Sequence, residues 1–500
     1  MSVIQPAIRL KRQKYSIFLR VPPPDVVGMS AMRCIRCVVA IAVLAIVMVS
    51  SGVAPAETIE AALARAYQNN PQLNAQRAIV RQTDEGVAQA LSGYRPTIGA
   101  SANIGREYTD TTEDFPPIPG TPLTQSTAVR IKGLTNPRSV GLNASQSLFN
   151  AKTSSETRAA ESQVYAARET LRVMEQSVLL SAATVYMDTL RDTANLEVQH
   201  SSVRVLLKMR KDTGDRRAVG EIPETDVAQA EAQLAGGEAT LHAAEATLLA
   251  TKANYRRIIG IEPKNLSPAT PVDRLAPRTL DASLAQSIIE NPSVTAAMYG
   301  VDVSQLQVKI AEAGLYPTLM LQGNIQKQYD ANITTPKLFD SSVMLSLSIP
   351  IYQGGREYSA IRQNKEAVSQ QQLSLDQIRD QVRANVAQFW GQLDATKAET
   401  EATERQVKAS ESALDGVRDQ ARVGQRTTLD VLNAQQALVT ARLNFLTAQH
   451  DRVLASYNLL TAIGRLSATA LHLSVQVYDP TVHYHQVRDS WIGVRTPDGQ

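Results

Sequence analysis

Residues 419–438 read D-Q-A-R-V-G-Q-R-T-T-L-D-V-L-N-A-Q-Q-A-L, and residues 216–234 repeat them more weakly as R-R-A-V-G-E-I-P-E-T-D-V-A-Q-A-E-A-Q-L. In each, a long polar helical pattern stops at a Val-Gly pair, Val219-Gly220 or Val423-Gly424. A new helix opens a few residues later with Asp226 or Asp430 in its first turn. Gly just past a helix end, then Pro or Thr opening the next helix, is the punctuation of a helical hairpin. Two such tips, one in each half, predict a chain duplicated around paired helical hairpins.

The duplication extends outward from the tips. Asn291-Pro292 repeats Asn70-Pro71, and Gly314 and Pro317-Thr318 repeat Gly93 and Pro96-Thr97 at the same offset. Between the helical patterns the period falls to two. Ile98, Ala100, Ala102 and Ile104 alternate with polar residues, as do Val140, Leu142 and Ala144. The same alternation predicts strands over 318–326 and 342–352. The Pro- and Thr-rich stretch 108–137 reads as a polar loop.

Long helices are predicted over 151–213, 223–259, 356–415 and 427–463, with a linker over 263–277. At ~1.5 Å per residue the first would be roughly 95 Å long, a length that no compact domain needs. The last places Leu429, Leu432, Val439, Leu443, Leu446, Val453, Tyr457 and Leu460 on alternating three- and four-residue steps. That is a heptad seam, interrupted only at Gln436 and His450, so this helix should pack as a coiled coil. Phe389-Trp390 reads as an anchor of helix packing.

At the N-terminus, Arg33 and Arg36 precede an apolar run over 38–49, and Ala54-Pro55-Ala56 follows. This spells a secretory signal peptide over 1–56, with an apolar run too short to span a membrane. The length of the leader suits a start at Met29 or Met32. Cys34 and Cys37, the only cysteines, fall inside it, so disulfides, a thiolate nucleophile, cysteine metal sites and a cysteine lipid anchor are not expected. The leader holds seven of the 51 Lys/Arg and one of the 48 Asp/Glu, and its removal turns a net charge of +3 into −3. The charge therefore gives no argument for nucleic acid. The expected organisation is a first repeat over 57–277, a second over 278–466, and a tail over 467–500, carrying Tyr478-Asp479-Pro480 and Trp491, folded back on the helices. His483 and His485 in that tail read as surface residues rather than metal ligands. No Ser-His-Asp set, carboxylate dyad or phosphate loop stands out, so neither enzyme nor cofactor is expected.

Four amphipathic strands cannot close a barrel alone, and their edges would be exposed. A membrane accepts only helices and closed barrels. An exported chain without a hydrophobic helix would have to pool its strands, and three subunits would supply twelve. The expected fold class is thus an α+β membrane protein: a helical coiled-coil barrel plus four strands per subunit contributing to a trimeric 12-stranded β-barrel. The competing reading is a periplasmic coiled-coil scaffold or adaptor with no pore. The four amphipathic strands discriminate between the two: a scaffold should stay soluble without detergent, whereas the duct should fractionate with outer membranes.

Over about residues 58–466 the chain resembles the TolC family of outer-membrane efflux and secretion channels. The resemblance rests on the duplicated helix–strand–strand–helix order, the two Asn-Pro sites, the strand start Tyr94-Arg95-Pro96-Thr97 and the V-G-x-x-T-x-x-D tip; the second strand start, Leu315-Tyr316-Pro317-Thr318, departs slightly. The family implies a homotrimer in the outer membrane with a helical tunnel across the periplasm. It also implies a periplasmic adaptor (membrane fusion) protein and an inner-membrane ABC or RND-type transporter exporting proteins or drugs. The tail resembles that of members serving type I protein secretion. The resemblance makes Asp226 and Arg426 a latch at the tunnel's closed end, and Asp430 an acidic constriction ring. Asn433 stands where a second aspartate ring can occur, and Ala421 where a tyrosine commonly joins the latch. Val219, Gly220, Val423, Gly424 and Thr427 form the tip turns near which an adaptor would dock. An acid in the first turn of a helix is also explained by capping and the helix dipole alone.

Overall fold

The computed structural model describes residues 56–115, 127–497 and 499; the expected leader falls on residues that lie outside these, apart from Ala56. Each half of the chain runs in the same order. The first contains α1 (Ile59–Asn69), α2 (Pro71–Leu91), β1 (Thr97–Ile104), β2 (Glu107–Phe115), β3 (Thr127–Thr135), β4 (Arg138–Phe149), α3 (Ala151–Ala218) and α4 (Glu224–Ile259). The second contains α5 (Leu280–Glu290), α6 (Pro292–Glu312), β5 (Thr318–Asn332), β6 (Thr335–Ser348), α7 (Arg356–Arg422) and α8 (Thr428–Ile463), followed by a short α9 (Thr481–Val487) in the tail.

The 68 residues of α3 span roughly 100 Å. The helix passes through Gly214, where the sequence reading ended it. A single interior Gly costs only about 1 kcal/mol relative to Ala, which a helix packed along its length absorbs. Part of α3 packs on α4 and part on α2 and α6, while α7 pairs with α8 and α6. The return helices α4 and α8, 36 residues each, are therefore about half as long as the helices they fold back on.

The Asn-Pro sites explain why the pattern recurs. Asn70 caps α2 by accepting from the Gln72 N–H at 2.9 Å, and its amide donates to the carbonyl of Ile258 at the end of α4. Asn291 caps α6 from Ser293 N–H at 2.9 Å and donates to the carbonyl of Ala462 at the end of α8, at 2.8 Å. One side chain thus starts one helix and pins the end of another, and Pro follows because the first helical turn needs no N–H there.

The largest core lies where α1, α2, the middle of α3, the ends of α4 and α8 and the start of the tail converge. Tyr186 is wholly buried there and donates to the carbonyls of Glu57 and Ser267. Burial pushes its hydroxyl up to about 12. A second cluster joins α7 to α8 through Val386, Leu393, Leu459 and Ile463, with Phe389 and Trp390 against it, as expected of an anchor. On α8 the expected stripe holds at Leu432, Val439, Val453, Tyr457 and Leu460, whereas Leu429 is exposed and Leu443 and Leu446 are half-buried; Val431, Leu438, Ala448 and Leu459 join the buried set. The reason is that α8 packs on both α7 and α3.

The strands form an antiparallel sheet in the order β1-β4-β5-β6, with β1 and β6 at its two edges among the described residues. Pairing sets the faces. Ile98, Ala144, Gly323 and Val343 share one face, as do Leu142 and Ile325, and Leu321 and Leu345. The opposite face carries Thr97, Ser145 and Gln322, then Asn143, Asn324 and Ser342.

Two strand expectations are corrected. Residues 107–115 and 127–135 of the expected loop form a second antiparallel ladder, β2–β3, from Glu107↔Thr135 to Phe115↔Thr127. β2 is polar along most of both faces, and in β3 the alternation of Val129 and Ile131 with Arg130 and Lys132 is cut short at Gly133, too brief to stand out in a Pro- and Thr-rich stretch. The fourth strand lies at 335–348 rather than 342–352. Pro350 has no N–H for a ladder, and Gly354 and Gly355, at φ 65° and 85°, turn the chain into α7.

Candidate functional site: the hairpin tips

The two tips have the same backbone. At the first, Gly220 has φ 79°, its N–H donates to Arg217 O at 2.8 Å, and Glu221 N–H donates to Arg216 O at 3.0 Å. At the second, Gly424 has φ 80°, with Gly424 N–H to Ala421 O at 3.1 Å and Gln425 N–H to Gln420 O at 2.9 Å. Both are Schellman closures, in which the left-handed residue is best served by Gly. Each leaves a valine at the apex in the open: Val219 is 73% exposed and Val423 70%.

Beyond the turns the two tips diverge. Thr427 caps α8, accepting from Asp430 N–H at 3.2 Å, while Asp430 Oδ2 accepts from both the N–H and the hydroxyl of Thr427 at 3.0 Å. This reciprocal capping box holds the Asp430 carboxyl below its usual range, chiefly through the Thr427 backbone N–H, and keeps it charged. At the first tip Pro223 takes the Thr427 position, with neither N–H nor hydroxyl, and makes no side-chain cap. The Asp226 carboxylate has no hydrogen bond or ion pair among the described residues. The resemblance gives these two acids different roles, a latch for Asp226 and a constriction for Asp430; the residue three positions earlier separates them physically.

Within the protomer, Arg426 Nε donates to Gln420 Oε1 at 3.1 Å, and no Asp226–Arg426 bond forms among the described residues. Asn433 is exposed on the first turns of α8, and Ala421 packs in a small cluster of Leu414, Val431 and Leu438 that also takes in Met209 of α3. The first tip is laced instead by Arg216–Glu221 at 2.9 Å and Arg217–Glu224 at 3.0 Å. These pairs are exposed and contribute little.

The tail expectations divide. His485 is exposed, but His483 is buried, with Nδ1 3.0 Å from Asp84 Oδ2 on α2, so the surface reading of His483 is corrected. A histidine in an H-Y-H run of a polar tail gives no sequence signal of a partner nearly 400 residues earlier. Arg488 pairs with Glu161 at 3.5 Å, and the Arg95 guanidinium reaches Ser490 O and lies 4.9 Å from the Trp491 ring centre. The tail therefore lies along α2 and α3 up to the helix–strand junction. No group of His, Cys, Asp and Glu with metal-binding geometry occurs among the described residues.

Residues 62–261 and 284–465 match the family described as Outer membrane efflux protein, one segment in each repeat. The chain is 37% identical over 448 residues to Outer membrane efflux protein BepC of Brucella suis, covering 89% of this chain and 93% of the relative. It is 27% identical over 422 residues to Outer membrane protein TolC of Vibrio cholerae, covering 82% and 92%. Among solved structures it is similar to the Campylobacter jejuni CmeC outer membrane channel, with a TM-score of 0.70 at 14% identity over 86% of this chain and 89% of that one. A duplicated helical barrel continued by a membrane β-sheet defines an outer-membrane channel, and the chain belongs to the outer membrane efflux protein family. It is an outer-membrane channel of the efflux type, whose four main strands per subunit contribute to a trimeric 12-stranded barrel.

Proposed function

We propose that the tips close the periplasmic end of a passive, homotrimeric duct, and that Asp226 and Arg426 tie neighbouring subunits there. The observation that carries this reading is the asymmetry between the tips: Asp430 is engaged by its own cap, whereas Asp226 has no partner among the described residues and Arg426 bonds only the neutral Gln420. Three copies of Asp430, with Asn433 one turn further along α8, would line the aperture as a cation-attracting ring. The exposed Val219 and Val423, on rigid turns with Gly220, Gly424 and Thr427, suit docking by hairpins of a periplasmic adaptor protein. An inner-membrane ABC or RND-type transporter would supply the energy, because a duct has none of its own, and neither catalysis nor a cofactor enters this reading. The name of the Brucella relative favours efflux, while the tail resembles secretion members, and the duct suits both.

Single-channel recording in planar bilayers tests this. Arg426→Ser and Asp226→Ala should each raise the closed-state conductance, and Asp430→Ala should lower cation selectivity. An unchanged closed-state current in both latch variants would defeat the latch.

A further inference from the structure

One face of the barrel sheet has a chemical boundary. Along β5 the apolar face presents Leu319, Leu321, Gly323 and Ile325, and then changes to Lys327 and Tyr329. Strand pairing places Val140 and Phe339 beside Lys327, and Arg138 and Lys337 beside Tyr329. Three cations thus stand in two adjacent rows, on the same face as the apolar residues and at the end of the sheet remote from the helices. At ~3.3 Å per residue, Leu319 to Lys327 is about 26 Å of strand, or roughly 20 Å of height at the usual tilt, near the apolar band of an outer-membrane barrel. The cations begin where the lipid tails end.

Their pairing is incomplete. Arg138 Nη2 lies 3.2 Å from Asp330 Oδ2, and Lys327 Nζ lies 5.3 Å from the Tyr329 ring centre. Neither Lys327 nor Lys337 makes an ion pair among the described residues. Ile104, Arg138, Val140, Lys327 and Tyr329 border an open depression of about 650 Å³. Phe339 and Tyr329 supply aromatic rings in the same two rows, as membrane interfaces favour.

We propose that Arg138, Lys327 and Lys337 form an outward-facing site for the phosphate groups of a phosphorylated lipid in the outer leaflet. The occupant follows from position and charge. A side chain on the lipid-facing side at the edge of the hydrocarbon layer meets headgroups, and three cations there, two of them without an ion pair among the described residues and Arg138 sharing one exposed carboxylate, are complementary to phosphate oxygens. Trimer symmetry repeats the site three times around the barrel. The site depends on membrane insertion of the sheet and not on the gate at the tips, so the two stand or fall separately.

The test uses the purified full-length channel in detergent, with bound lipid counted by native mass spectrometry. Diphosphoryl lipid A should be retained, and its dephosphorylated form should not; inorganic phosphate at equal concentration should not displace it. Each cation near a charged membrane surface is worth a factor of about five, so R138Q/K327Q/K337Q should bind about a hundredfold more weakly. K327R/K337R, which keeps the charges, should bind as the native protein does. Equal retention of both lipid forms by the native channel would overturn the proposal without recourse to any variant. Displacement by inorganic phosphate, undiminished binding in the triple variant, or loss in the arginine variant would overturn it as well.

Discussion

His450 Nε2 lies 2.9 Å from Asp188 Oδ1, tying the last helix of the second hairpin to the long helix of the first. The other ring nitrogen lies 2.7 Å from Asp451, and the imidazole is only 6% exposed. Burial alone would depress its pKa, and Arg191 opposes the charged form too. The two carboxylates outweigh them, so the net shift is upward. A raised folded pKa means that the tie stabilises fully below the ordinary histidine value near 6.5 and weakens as pH rises through the folded value. Thermal unfolding followed from about pH 6 upward should show native stability falling relative to His450→Gln, whose curve lacks this slope. Parallel curves would exclude a charged His450.

The cap at Thr427 predicts an unequal response of the two tips. Thr427→Val removes both hydroxyl contacts and should cost the first turn of α8 about 1 kcal/mol, read as faster hydrogen exchange there. Pro223→Thr supplies the missing cap to Asp226. If Asp226 serves the latch, this substitution should steady α4 and at the same time raise the closed-state conductance, since one carboxylate would then answer to two partners.

Gly464 and Gly424 both hold positive φ, but only one is crowded. A Cβ on Gly464 would sit 2.5 Å from Asn291 Cα and 2.8 Å from Glu290 O, whereas one on Gly424 would meet open space. Gly424→Ala should cost about 1–2 kcal/mol for the left-handed backbone. Gly464→Ala should add a further 1–3 kcal/mol of overpacking and loosen the Asn291 clasp. Denaturant midpoints of the two variants compare them directly.

In the tail, the carboxylate of Asp84 is fully buried, and burial raises its pKa against the pull of His483 and Arg168. His483→Ala leaves that carboxylate without its hydrogen-bonding partner and should destabilise by about 3–5 kcal/mol. Asp84→Asn with His483→Gln should recover most of the loss. Protease sensitivity of the segment after α8 would report both effects.

The helical architecture was legible because its signals are local. The Val-Gly stops and the Asn-Pro starts each arise within one or two turns and are doubled by the repeat, and the seam of α8 is a periodicity within a single helix. The strands were legible where one face is apolar, as at Ile98 to Ile104, and illegible in Glu107–Phe115 and the outer half of β5, where both faces are polar. The tip turns were readable for the same reason as the helices. The difference between Asp226 and Asp430 needed the cap geometry, and the burial of His483 needed a contact with α2 that no spacing could reveal.

The sheet also dictates an order of events in the making of the protein. Arg138 on β4 reaches Asp330 at the end of β5, 192 residues further along the chain, and these two inner strands come from opposite repeats. Neither repeat holds a complete set of strand neighbours: an emerging first half can pair β4 with β1 along one edge, but the other edge of β4 has no partner until β5 has been synthesised. Such non-local closure is slow, and the outer strands β1 and β6 still await another chain after it. The barrel can therefore close only after synthesis is complete, when whole chains meet edge to edge.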